Sequence, residues 1–156
     1  MEKRVCIIPC GAKKIWDIMP EAGPTMAKDT YHSTFHQACQ SYARAFFADW
    51  LILSAKHGFL APDDWVVANY DCAFGTDDPA IIGVEALRES AAAKQLEQYG
   101  TIVLLGGKKF VPVLQPLLGD GQLIERPLAK CRGIGTMVQA LKRAVEENQE
   151  LNLRMI

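Results

Sequence analysis

Four short stretches of this chain carry side chains able to do chemistry. Ala27-Lys28-Asp29-Thr30-Tyr31-His32-Ser33 sets a carboxylate beside a phenol and an imidazole. That combination suits stacking on a base and orienting a water. It equally suits a helix start, with Asp29 or Ser33 as the cap and Tyr31 packed beneath. Ser54-Ala55-Lys56-His57-Gly58 gathers a hydroxyl, an ammonium and an imidazole. A serine nucleophile needs a base beside it, but no Gly-x-Ser-x-Gly elbow is present, so contact with a phosphate or sugar is the expected role. Asn69-Tyr70-Asp71 adds a second carboxylate in what also reads as ordinary turn chemistry. Gly106-Gly107-Lys108-Lys109 lacks the spacing and the Ser/Thr of a Walker A loop. Its glycine backbone still suits approach to a phosphate at the start of the next helix.

Metal chemistry finds little support. His32 and His36 stand four apart with Cys39 one turn on, yet no glutamate completes a zincin pattern. Cys6 of the Cys6-x3-Cys10 pair falls inside an apolar run and reads as core. Neither a metal nor an organic cofactor is expected.

These residues need elements to position them. Val5–Ile8, Trp50–Ser54 and Thr101–Leu105 are short apolar runs, each closed by a loop signal, and Gln122–Arg126 is a shorter fourth. Ser33 is placed to cap a helix running to Ala48, with Phe35, Ala38, Cys39, Tyr42 and Phe46 at helical spacing. Further helices are expected over 82–99, stopped by Gly100, over about 109–118, and over 136–148. Residues 12–30 read as an ordered loop with one helical turn, and 59–83 as loop. Strands apolar on both faces and alternating with helices mean a parallel sheet covered on two sides. The expectation is one three-layer α/β/α domain over residues 1–156, with a mostly parallel four-stranded sheet.

Ligands of such sheets bind outside the carboxyl ends of the strands. The residues that follow each strand are basic: Lys13 and Lys14, then Lys56 and His57, then Lys108 and Lys109, then Arg126, Lys130 and Arg132. The acids fall elsewhere, at Glu85, Glu89 and Glu97 and at Glu146, Glu147 and Glu150. So the 17 Lys+Arg and 18 Asp+Glu, a formal net charge of -1, average over a polarised molecule. The balance excludes indiscriminate coating of nucleic acid, while a basic rim favours a phosphate-rich ligand. Five scattered cysteines, an odd number, argue against a disulfide framework. With no signal-peptide h-region and no apolar run near the roughly 18 residues of a membrane span, a reducing cytoplasm and no membrane partner are expected.

The string Pro9-Cys10-Gly11 … Tyr31-x-Ser33 … Trp50-Leu51-Ile52-Leu53-Ser54-Ala55-Lys56-His57-Gly58-Phe59-Leu60-x-Pro62 … Tyr70-Asp71 resembles an uncharacterised bacterial and phage family. That family is distantly akin to the peroxide-stress YaaA-like proteins. A weaker resemblance is to the uracil-DNA glycosylase superfamily. It is carried by Asp29-Thr30-Tyr31-His32, by Ile102–Lys108, and by Arg126-Pro127-Leu128-Ala129 with Arg132-Gly133. Arg126 stands where that superfamily has a histidine, and Cys10-Gly11-Ala12-Lys13 offers no acid at the exit of the first strand.

The second resemblance implies a DNA glycosylase acting on a non-standard base, by analogy a modified phage base in anti-phage defence. Asp29 or Asp71 would stabilise the sugar cation and orient water, and His57, Lys56 or Arg126 would hold the departing base. Tyr31 or Phe74 would stack on a flipped base. Cys10, Gly11, Ser54 and Tyr70 would complete the substrate contacts. Lys13, Lys14, Lys108, Lys109, Lys130 and Arg132 would hold flanking phosphates. Two alternatives stay open: an N-glycoside hydrolase or transferase for free nucleotides, and a non-enzymatic nucleic-acid-binding module. The base, the choice among DNA, RNA and free nucleotide, and the oligomeric state are not specified by the sequence.

Overall fold

A computed structural model of the chain describes residues 3–151. In chain order its first half holds β1 (Arg4–Pro9), α1 (Ile15–Ile18), β2 (Thr25–Met26), α2 (Ala27–Thr30), α3 (Thr34–Phe46) and β3 (Trp50–Ser54). The second half holds β4 (Gly58–Leu60), β5 (Trp65–Val66), α4 (Val84–Ala93), β6 (Thr101–Leu104), α5 (Val111–Leu114), β7 (Leu123–Glu125) and α6 (Ile134–Glu146).

The main sheet has five strands in the order β4-β3-β1-β6-β7. β1 pairs in parallel with β3 and β6, and β6 in parallel with β7, while β4 runs antiparallel on the edge. Val5, Cys6, Ile7 and Ile8 are fully buried because β1 is central and covered on both sides. Cys6 and Ile8 face a cluster with Ala38, Cys39, Tyr42, Ala43 of α3 and Leu141, Ala144 of α6. Val5 and Ile7 face the other layer, with Leu87 and Ala91 of α4 and Leu114 of α5. Each fully buried aliphatic side chain contributes roughly 1.5–3 kcal/mol, so the two layers hold the sheet from both faces. No helix among the described residues is long and apolar enough to cross a membrane.

The fifth strand corrects the expected four. β4 begins at Gly58 and runs into the loop expected over 59–83, since three residues show no periodicity. The turn before them is fixed by Ser54, whose Oγ accepts from the backbone N–H of Lys56 at 3.2 Å and of His57 at 3.1 Å. Gly58 then takes a positive φ of 77°, open to glycine at little cost, and the chain folds back along β3. A Cβ on Gly58 would also lie 2.7 Å from Ser90 Oγ. Within residues read as loop, β2 and β5 form a separate two-stranded antiparallel ribbon.

Helix α3 starts where expected, with Ser33 Oγ accepting from the His36 N–H at 3.2 Å. The helix expected over 82–99 ends at Ala93, where Gln95 turns left-handed with φ 56°. Beyond that break, Leu96 and Tyr99 drop into the core. Residues 108–117 form two 3-10 turns around α5 rather than one helix, and α6 begins at Ile134, two residues earlier than read.

Candidate functional site

Because β1, β3, β6 and β7 are mutually parallel, their carboxyl ends open on one edge. Between the ends of β1 and β3 lies a buried polar cluster. The segment leaving β1 runs antiparallel to Tyr31, bridging Lys14 to Tyr31, and the His32 N–H donates to the Lys13 carbonyl at 2.9 Å. Lys13 therefore points to solvent while Lys14 turns inward and is only 3% exposed.

The Lys14 ammonium lies 4.5 Å from the centre of the Tyr70 ring and 6.0 Å from that of Tyr31. It donates to the Ala12 carbonyl at 3.2 Å. The nearby Asp17 carboxylate instead accepts from the Lys14 backbone N–H at 2.8 Å, closing the first turn of α1. Among the described residues the ion pairs are Arg4–Glu150, Lys28–Asp63 and Lys94–Asp64, so Lys14 has no carboxylate partner. A desolvated cation–π contact contributes about 2 kcal/mol, against several kcal/mol for burying one ion.

Beneath Lys14 three hydroxyls form a chain. Ser54 Oγ lies 2.8 Å from Tyr70 Oη, and Tyr70 Oη is hydrogen-bonded in turn to Tyr31 Oη. Both lone pairs of Ser54 Oγ are taken by the Lys56 and His57 amides, so its own hydrogen goes to Tyr70. Tyr70 then donates to Tyr31, and the Tyr31 hydroxyl hydrogen is left as the free end of the chain. Burial holds both phenols protonated, far above their ordinary range.

His57 stands edge-on to Tyr70, ring centres 5.0 Å apart. Its Nε2 is buried with no hydrogen-bond partner among the described residues. Burial first, and the Lys56 charge second, lower its pKa, so the ring is neutral near pH 7. Arg126 Nε, just past the end of β7, is the other buried side-chain nitrogen or oxygen without a partner among the described residues.

The end of β1 is fixed from behind by His36, which is 1% exposed. Its Nδ1–H donates to the Pro9 carbonyl at 2.8 Å, and its Nε2 accepts from Gln40 Nε2 at 2.9 Å. The same Gln40 nitrogen donates to the Lys28 carbonyl at 3.0 Å. Burial lowers the His36 pKa to about 4, so the neutral form is held. Both ring nitrogens are engaged and Cys39 is fully buried with Sγ on the Leu105 carbonyl, which explains why the His32, His36, Cys39 spacing makes no metal site. Among the described residues no group of three His, Cys, Asp or Glu gathers.

Of the residues singled out from the sequence, Lys14, Tyr31, Ser54, His57 and Tyr70 converge on this cluster. Cys10 is half-buried just past β1, packed against the core cluster that holds both phenols. Gly11 packs against Ser33, where a Cβ would lie 2.7 Å from Oγ. Asp71 is exposed between Tyr70 and Cys72, and burial first, then the Asp78 charge, push the Cys72 thiol up from its ordinary pKa. Lys13, Lys56, Lys108, Lys109, Lys130 and Arg132 are exposed along the strand-end edge and the loops leaving it.

Four expected roles change. Lys14 is not a rim phosphate contact, because the bridge to Tyr31 turns it inward. Tyr31 is fully buried and so offers its hydroxyl rather than an open stacking face. Phe74 is 8% exposed and packs edge-on against Phe110 at 6.2 Å, as part of the core. Asp29 is exposed on α2, its carbonyl bonded to His32 Nε2 at 2.9 Å, and its carboxylate takes no part in the cluster's hydrogen bonds. His36 and Gln40 escaped the sequence reading as site-forming residues. The one signal was a histidine on an otherwise apolar helix face.

A family of unknown function, DUF6884, matches residues 5–143. The chain belongs to this family. It is also 55% identical over 149 residues to the uncharacterized protein YfjM of Bacillus subtilis (strain 168), covering 96% of this chain and 99% of that protein. No solved structure matches the chain. Both relationships span the whole site, from the β1 exit through Tyr70 to the end of β7.

Proposed function

We propose that the chain hydrolyses the N-glycosidic bond of a non-standard base in DNA, as a glycosylase built on a sheet of uracil-DNA-glycosylase type. The observation that carries this reading is the set of polar groups with unfilled hydrogen-bonding capacity beside Tyr70. The Lys14 ammonium, the Tyr31 hydroxyl and His57 Nε2 are buried or half-buried together, with no carboxylate among them. Such a set is complementary to a group that gains negative charge as it departs.

The chemistry balances without a cofactor. The C1′–N bond breaks and its electron pair goes to the base. The base departs as an anion, a water oxygen bonds to C1′ and one water proton passes to Asp71. The departed base then takes a proton from solvent, and Asp71 returns its own to solvent. Asp71 supports the cationic sugar from the rim, one residue from Tyr70. Lys13, Lys56, Lys108 and Lys109 are placed to hold phosphates on either side. Phage DNA is a fitting source of such bases, and a defensive role would follow from that substrate.

The test is incubation of purified protein with duplex and single-stranded oligonucleotides that carry a panel of modified bases, followed by alkali. Strand cleavage at one modified position is expected. Intact strands across the whole panel would exclude this reading in favour of free nucleotides or of binding alone.

A further inference from the structure

Within that glycosidase reading, we propose that Lys14 and Tyr31 form a binding site for a single negative charge carried by the base itself. The base is then an acidic one, bearing a carboxylate or an ionised ring oxygen, rather than a neutral pyrimidine.

Three observations lead there. First, Lys14 is 3% exposed and has no carboxylate partner among the described residues, although three ion pairs form elsewhere. Buried charges in proteins are ordinarily paired, and the partner here has to come from a ligand. Second, only one of the three ammonium hydrogens has an acceptor, the Ala12 carbonyl. The direction of the Ser54–Tyr70–Tyr31 chain leaves one phenol hydrogen free on Tyr31, whose ring centre lies 6.0 Å from the ammonium.

Third, the charge count selects the ligand. One ammonium neutralises one negative charge, whereas a terminal phosphate brings nearly two and would leave the pocket charged. A backbone phosphodiester also carries one charge, but it meets the exposed lysines of the strand-end edge first. Phosphates have other partners in Lys13, Lys56, Lys108 and Lys109, all of which are exposed. An ammonium over the Tyr70 ring and a phenol hydrogen-bonded to the same Tyr70 offer two kinds of donor to a carboxylate.

Isothermal titration calorimetry on the full chain tests this without requiring turnover. The probes are orotate and 5-carboxycytosine as carboxylated bases, uracil as the neutral match, and inorganic phosphate, all at one ionic strength. At least one carboxylated base should bind at least tenfold more tightly than uracil, and phosphate should not displace it. Lys14→Met should weaken that binding tenfold or more, and Lys14→Gln provides a second variant, with a thermal melt confirming that each is folded. Equal binding of uracil, displacement by phosphate, unchanged affinity in both variants, or no binding of either carboxylated base would each overturn the proposal. Because binding alone is read, a charged-base site without glycosidase activity is distinguishable from failure of the site.

Discussion

The Ser54 hydroxyl lies 2.8 Å from the Tyr70 hydroxyl, and what else Ser54 holds fixes which of the two donates. Ser54 joins the tip of β3 to the 55–57 turn and, through Tyr70, to the loop that carries Asp71. Replacing it by alanine leaves two amide hydrogens and the Tyr70 oxygen without their partner. Each buried orphan costs about 1–3 kcal/mol. Ser54→Ala should therefore lower stability more than Tyr31→Phe, which leaves only the Tyr70 hydrogen unpaired. Urea unfolding of the two variants measures the order, and a loss from Tyr31→Phe as large as that from Ser54→Ala would contradict it.

Lys14 is expected to work against stability. A buried ammonium without a carboxylate is costly, and replacing buried charge by apolar side chains of similar volume is commonly neutral or stabilising by about 1–4 kcal/mol. Lys14→Met should match or exceed the wild type in melting temperature while losing activity. A large drop in stability would instead make Lys14 a structural residue.

His36 links stability to pH. Its folded pKa of about 4 lies below the ordinary 6.5, so the unfolded chain binds more protons between those values. Stability then rises with pH across that window and is level above it. The whole effect is about 3 kcal/mol, lost as pH falls from 6.5 to 4. His36→Asn, which keeps a donor for the Pro9 carbonyl, should flatten the dependence in melts taken between pH 4 and 7.

The exposed lysines of the strand-end edge should show as salt dependence. Charge reversal of Lys13 and Lys56 together should weaken DNA binding and reduce the slope of log affinity against log salt by about 2. Fluorescence anisotropy at several salt concentrations reads both quantities.

The central sheet was legible because β1, β3 and β6 are continuous apolar runs, a pattern produced only by burial on both faces. β4 and the β2–β5 ribbon were not, since two or three residues are too few for periodicity. The break at Gln95 carries no glycine or proline. It follows from Leu96 and Tyr99 reaching the core, with Lys94 held by Asp64 at 2.5 Å. In the site, Tyr31, Ser54, Tyr70 and His57 were legible as reactive types. Their convergence was not, because Tyr31 and Tyr70 are 39 residues apart and meet through hydroxyls alone. Lys13 and Lys14 look alike in sequence. Only the pairing of this segment with Tyr31 sends one outward and the other in.

The most direct measurement is release of free base from modified-base DNA by wild type, Asp71→Asn and Asp29→Asn, read by mass spectrometry. The wild type should release one modified base and leave an abasic site. Asp71→Asn should lose on the order of 10² or more in rate, as removal of a general base does, while Asp29→Asn stays near wild type. Free base released equally by the wild type and Asp71→Asn, or by none of the three, would contradict the account.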